Sequence, residues 1–204
     1  MSTIIQEPDL TTGTAPLLLS LKPVLNFSED EFFDFCQINR DLRIERSAQG
    51  ELIIMAPSGG DSSSRNARLN YQLFSWALRN GTGTVYDSSG GFELPDGATR
   101  SPDASWVSNA RLKKLSAAQR EKFLPLCPEF VIELRSPSDR VSDLQAKMQE
   151  YIDNGAQLGL LIVPEQKRVY VYRPNHTPEV LDNCETVACD PVLPGFELVV
   201  KEIW

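Results

Sequence analysis

Apolar positions along the chain repeat with two periods, and the switches between them mark the elements. Ser28-Glu-Asp-Glu31 puts a hydroxyl at an N-cap with a carboxylate three residues on, ahead of Phe32, Phe33, Phe35, Cys36 and Ile38. That spacing predicts a helix over about 28–39. LRIER (42–46) and ELIIM (51–55), joined by Ser47-Ala-Gln-Gly50, predict a β-hairpin. Leu69, Leu73 and Trp76 predict a helix from about Ser63 to Asn80, with Gly81 at the left-handed position beyond it. TVYDS (84–88), GFELP (91–95) and PDASWV (102–107) read as strands, and 109–122, rich in Lys, Arg and Ala, as a helix. EFVIELRS (129–136) is the strongest strand pattern. Ser136–Pro137 then fits the N-cap and first position of a helix running to about Asn154, stopped by Gly155. LGLLIV (158–163) is a continuous apolar run and so a strand covered on both faces; RVYVYRP (168–174) alternates and forms a hairpin with it; FELVVKEI reads as a last strand. The order predicts the mixed α+β class, with one central mixed sheet flanked by helices. Residues 25–204 read as a single domain, and 1–24 as an N-terminal extension, flexible in part.

Charge narrows the function classes. The net charge is −8, which weighs against indiscriminate nucleic-acid binding, because that needs phosphates neutralised by Lys and Arg. It leaves room for a local basic groove and suits a site that gathers a divalent cation. Arg111, Lys113, Lys114, Arg120 and Lys122 form a basic run that serves either as a backbone track or simply as a solvated helix face. The N-terminus lacks a basic n-region, and its apolar run Leu17–Leu21 is interrupted by Ser20. The expectation is a cytoplasmic protein with no membrane span. Four cysteines at irregular spacing fit reduced, mostly buried thiols better than a zinc site or a disulfide scaffold.

Two carboxylates stand out. In 102–107, Asp103 shares a strand face with Ser105 and Val107; in 129–136, Glu133 shares one with Val131 and Arg135. Carboxylates in apolar surroundings are costly unless paired or bound to a cation, and hard oxygen donors of this kind suit Mg²⁺ or Mn²⁺. In the following helix, Lys147 borders the apolar stripe of Val141, Leu144, Met148, Tyr151 and Ile152, so its ammonium can reach the sheet. A purely internal salt-bridge cluster of Asp103, Glu133, Arg135 and Lys147 accounts for these residues as well.

SPDASWV, PEFVIELRSPSDRVSDLQAKMQEYIDNG and LGLLIVPEQKRVYVYRP, taken in order, resemble the Uma2 family, also called DUF820, in a branch abundant in cyanobacteria. The resemblance runs from about Leu42 to Gly195, with LRIERSAQGELIIMAP, GGFELPDGATRSPD and PVLPGFEL matching its opening hairpin, its approach to the Pro-Asp and its close. The family is placed among PD-(D/E)XK nuclease-like folds. The resemblance therefore implies a restriction-endonuclease-like sheet and a divalent-metal phosphodiesterase centre. Pro102–Asp103 takes the place of the PD and Glu133 that of the (D/E); Leu134 and Arg135 take the X and K places. Arg is a poor substitute for Lys beside a nucleophilic water. The resemblance assigns the Lys role to Lys147, from the next helix, and leaves Arg135 as a phosphate or carboxylate partner. Glu45 matches a commonly acidic position that would support the metal. Many relatives have a His near DSSS (61–64); the one His of this chain, His176, lies instead in the loop RPNHTPE.

The implied chemistry is hydrolysis of DNA phosphodiesters. One Mg²⁺ or Mn²⁺ would be held by Asp103, Glu133 and the carbonyl of Leu134, and Lys147 would orient water or stabilise charge. A different class, a non-catalytic binding or regulatory domain on the same fold, fits the Arg at the motif's last position and the acidic charge. A two-carboxylate glycosidase would need aromatic platforms, and only Trp106 is near. Triad chemistry and a P-loop find no signature; SGGDSSS could cradle an anion but reads as a flexible connection. A homodimer is the expected assembly, with strand edges of the N-terminal hairpin as its interface.

Overall fold

The computed structural model describes residues 16–204; the first fifteen residues of the N-terminal extension lie outside the described residues. The hairpin β2 (Arg43–Arg46) and β3 (Leu52–Met55) forms as the sequence indicates, pairing Arg43 with Met55 and Arg46 with Leu52. It belongs to a five-stranded sheet of its own, in the order β1-β3-β2-β6-β5, with β1 (Leu17–Leu19), β5 (Phe92–Glu93) and β6 (Thr99–Arg100). Part of the stretch read as an extension thus adds an edge strand. Helix α1 (Glu29–Ile38), started by the Ser28–Glu31 capping box, packs Phe32 onto Ile44 and Leu52 of this sheet.

The second sheet is central and six-stranded: β4 (Gly83–Asp87), β7 (Ala104–Ser108), β8 (Phe130–Leu134), β9 (Leu158–Val163), β10 (Arg168–Tyr172) and β11 (Glu179–Asp182), in the order β11-β10-β9-β8-β7-β4. β8 and β9 run parallel and are linked by α5 (Val141–Asp153); the remaining pairs are antiparallel. All six residues of β9 are buried because helices cover both faces of the sheet. Helix α2 (Gly60–Asn80) lays Leu69, Leu73 and Trp76 over Trp106, Phe130, Ile132 and Leu160. On the other face α5 lays Met148, Tyr151 and Ile152 over Val107, Val131 and Leu161. The period-two reading of 102–107 and 129–136 therefore holds: the face carrying Asp103 and Glu133 is the α5 face. Gly81, at φ 69°, ends α2 where a Cβ-free residue was expected.

Four expectations are corrected. The helix read over 109–122 is two single turns, α3 (Asn109–Leu112) and α4 (Ala117–Arg120), because Ser116 and Gln119 make a capping box and start the chain afresh. Helix α5 starts at Val141, not at Ser136–Pro137. The Ser136 amide and hydroxyl both donate to Asp139 Oδ2 (2.8 and 2.6 Å), and the Asp139 amide returns to the Ser136 carbonyl (3.0 Å), so the serine caps a turn. Helix α2 begins three residues before Ser63, with Gly60 as its first residue and Gly59 as its extended N-cap. FELVVKEI yields only the short strand β13 (Glu197–Leu198), paired with β12 (Val187–Ala188), then a 3-10 turn over Val200–Glu202 that buries Val200 and Ile203 under α2.

Edge strand β4 depends on a glycine. A Cβ on Gly83 would run into the Val107 carbonyl oxygen and the Trp106 ring, and the carbonyl cannot yield without breaking the ladder. Gly83→Ala should lower stability by about 1–3 kcal/mol, as overpacking does. Urea melts report this as a reduced midpoint at unchanged slope; a midpoint equal to wild type would contradict it.

Candidate active site

A cleft of about 400 Å³ opens where the two sheets, the start of α2 and the Ser136–Asp139 turn meet. Asp103, Glu133, Leu134 and Lys147 all line it, together with Arg43. Antiparallel pairing of Ala104 with Ile132 sets the Asp103 and Glu133 strands side by side. Asp103 sits just before β7, where its Oδ2 accepts the Leu134 amide at 2.8 Å, and its side chain stays 17% exposed to the cleft. Its other oxygen, Oδ1, is 3.8 Å from Arg43 Nη2. From α2, the Asn70 side-chain amide donates to the Asp103 carbonyl at 3.0 Å and fixes the backbone at this point.

Glu133 is buried. Its Oε1 accepts from Lys147 Nζ (2.8 Å) and from the Tyr151 hydroxyl (3.0 Å), both on α5. Lys147 and Tyr151, one turn apart, thus grip one carboxylate oxygen. Lys147 also contacts Glu45 Oε1 at 2.9 Å. Glu45 is buried in turn, bound by Arg100 (3.2 Å) and by the Ser101 amide (3.0 Å), and Arg100 is held bidentately by Glu150 (2.6 and 3.0 Å). Glu45 therefore reaches the site through the Lys147 ammonium and does not line the cleft. Arg135 turns away: it binds Glu165 at 2.9 Å and the Asp139 carbonyl at 3.1 Å. A salt-bridge cluster does exist, but its members are Glu133, Lys147, Glu45, Arg100 and Glu150, and Arg135 is not among them.

This charge arrangement is lopsided. Burial pushes Glu133 up to about 7; Lys147 opposes the shift, and Asp103 and Glu45 add to it. Burial also raises Asp103, against the pull of the Leu134 amide and Arg43. Glu45 is lowered, since Lys147 and Arg100 outweigh its burial. Lys147 is raised, since Glu133 and Glu45 outweigh the burial that would neutralise it. The ammonium is thus a fixed positive charge and a hydrogen-bond donor, not a base. Two carboxylates whose ionisation is resisted, side by side, make a site short of positive charge.

The residues present fit a divalent cation. Glu133 Oε2 has no donor among the described residues and Asp103 Oδ1 meets only Arg43, at 3.8 Å; both residues line the cleft and offer hard oxygen donors. Among the described residues no group of three or more His, Cys, Asp and Glu stands at metal-binding spacing, so further donors would be main-chain carbonyl, water or substrate oxygens. Arg43, Asn70, Arg100 and Tyr151 were missed from the sequence. For Tyr151 a signal existed, one turn beyond Lys147, but its position in the apolar stripe marked it as core. The basic run does not reach the cleft: Arg111 binds Glu129 (3.4 Å) and Lys122 binds Asp30 (2.6 Å). His176 is exposed, its ring against the Pro174 carbonyl at 2.8 Å. All four cysteines are free thiols, and burial pushes Cys127 and Cys189 up to about 12.

The raised Glu133 has a consequence for stability. In the folded chain it holds its proton up to about pH 7, against an ordinary value of 4.5, so its contribution is full below pH 4.5 and is lost as pH rises through 7. Glu133→Gln removes the charge. In chelator-treated buffer it should raise Tm by several degrees at pH 8, the scale expected for at most about 3 kcal/mol, and leave Tm nearly unchanged at pH 4.5. Thermal melts at the two pH values check this; a variant less stable than wild type at pH 8 would reverse the sign.

Comparison with known proteins gives a family and a fold. Residues 29–201 match the family Uma2, described as "Putative restriction endonuclease". The fold matches the crystal structure of a "putative nuclease belonging to DUF820" from Anabaena variabilis, with a TM-score of 0.69 at 19% identity over 87% of this chain and 97% of that one. No curated protein matches the chain. No described helix is long and apolar enough to cross a membrane. With the family's model matched over residues 29–201, the chain belongs to the Uma2 family.

Proposed function

We propose that this protein is a metal-dependent endonuclease that hydrolyses phosphodiester bonds in DNA, with one Mg²⁺ or Mn²⁺ as cofactor. The observation that carries the reading is the convergence of Asp103, Glu133 and a buried, charged Lys147 on one cleft. Asp103 and Glu133 would hold the cation, with the Leu134 carbonyl as a further donor. A bound Mg²⁺ or Mn²⁺ supplies Lewis acidity toward a phosphate oxygen and a water of lowered pKa. Lys147 donates to charge developing on the phosphoryl oxygens, while Glu45 keeps it charged and aimed. Tyr151 holds Glu133 Oε1, leaving Oε2 without a donor among the described residues. Arg43, beside Asp103, supplies a guanidinium for a backbone phosphate. The family name and the relative's fold support the nuclease class. The choice of DNA follows the family's description as a restriction endonuclease, and the choice of the cation rests on the carboxylate pair and its charge deficit.

Calorimetric titration with Mn²⁺ tests the reading. Wild type should bind one equivalent, and Asp103→Ala and Glu133→Ala should lose binding together with cleavage of plasmid or oligonucleotide DNA. Wild type that binds no Mn²⁺ even with DNA present would favour a non-catalytic binding domain. Lys147→Met should abolish cleavage and also destabilise the fold by about 3–5 kcal/mol, because Glu133 and Glu45 are left buried without their shared cation. A Lys147→Met protein as stable as wild type would show that the ammonium is not the clamp described above.

A further inference from the structure

We propose that the N-terminus of α2 is a second anion site in the same cleft, a cradle for a backbone phosphate of the strand whose neighbouring linkage is cut. The identity of that strand rests on the nuclease reading above; the cradle itself does not.

α2 is 21 residues long, so its aligned peptide dipoles leave a substantial partial positive charge at its start. Its N-cap is Gly59, in extended backbone (φ −64°, ψ 161°), with no side chain to cap the helix. The first intrahelical bond runs from the Ser63 amide to the Gly59 carbonyl at 2.9 Å. The amides of Gly60, Asp61 and Ser62 therefore have no backbone acceptor among the described residues.

Every helix has such amides, and the feature that points to a ligand here is Ser62. It is 9% exposed, lines the cleft, and its hydroxyl makes no hydrogen bond among the described residues. A serine in a helix usually turns its hydroxyl back onto a carbonyl one turn earlier, and this one is instead left open to the cleft. Here it is a fourth donor beside three free amides. There is room for a guest, since a Cβ on Gly59 or on Gly60 would meet nothing within 4 Å. Arg43 lines the same cleft and adds positive charge. Asp61 in the first turn, and Asp103, Glu133 and Asp139 in the cleft, oppose an anion. Three amides and a hydroxyl at a helix start match a tetrahedral oxyanion.

The test uses inorganic phosphate and the ¹⁵N-labelled full chain in metal-free buffer, following the amide resonances of Gly60, Asp61 and Ser62. These should shift saturably. Gly60→Pro deletes one donor at a position where proline suits a helix start and where Gly59 is already extended as a pre-proline residue prefers. Gly60→Pro and Ser62→Ala should each weaken phosphate binding by about 3- to 10-fold, and Asp61→Asn should strengthen it. A short oligothymidine should move the same resonances and compete with phosphate. No shift at these amides, or unchanged affinity in the folded variants, would overturn the cradle, and Ser62→Ala decides if Gly60→Pro does not fold. Phosphate shifts without oligothymidine shifts would overturn its assignment to a nucleic-acid strand. Asp103→Ala that loses Mn²⁺ but keeps the phosphate shifts supports the cradle independently of the metal, and wild type that shows the shifts yet binds no Mn²⁺ would remove the nuclease reading and leave the cradle standing.

Discussion

The Lys147 ammonium is the interaction on which the rest of the site depends. It sits within hydrogen-bond distance of Glu133, on the central sheet, and of Glu45, on the five-stranded sheet. Two buried carboxylates would repel each other and drive the sheets apart or take up protons; one shared cation ties them together. Arg100 and Glu150 extend the same alternation of charge, so each buried ion has a partner of opposite sign. With Asp103 added, the negative charges outnumber the positive ones near the cleft. The clamp is complete as a structural device, and the excess of carboxylates lies at its open face.

Much of this was legible in the sequence because it depends on local period. Strand alternation grouped Asp103 with Ser105 and Val107, and Glu133 with Val131 and Arg135, and helical spacing set Lys147 at the border of an apolar stripe; the structure puts both groups under α5. What local period cannot show is which distant residue meets a buried charge. Glu45 lies 102 residues from Lys147, and Arg100 is 50 residues from Glu150. These contacts follow from how the two sheets are stacked, and no spacing within one element encodes them. The hairpin was recognised but not its membership of a separate sheet, for the same reason.

Helix starts failed differently. Ser136–Pro137 has the chemistry of an N-cap and first residue, yet Asp139 competes for the serine hydroxyl and amide and wins, converting the segment into a turn. At α2 the opposite occurs: Gly60, of poor helix propensity, and Asp61 and Ser62 are drawn into the helix ahead of Ser63. In both places the wall of the cleft is built from residues that local rules misplace.

The parallel pair β8–β9 with its crossover α5 also has a meaning for the order in which the molecule assembles. Glu133, Lys147 and Tyr151 all lie within one contiguous β-α-β unit. Their mutual contacts close short loops, and loop-closure entropy favours forming them before Glu45 arrives across a much longer one. On that order the unit would enclose a carboxylate and its lysine as a pair, and the five-stranded sheet would dock with an additional negative charge that the lysine is already in place to receive.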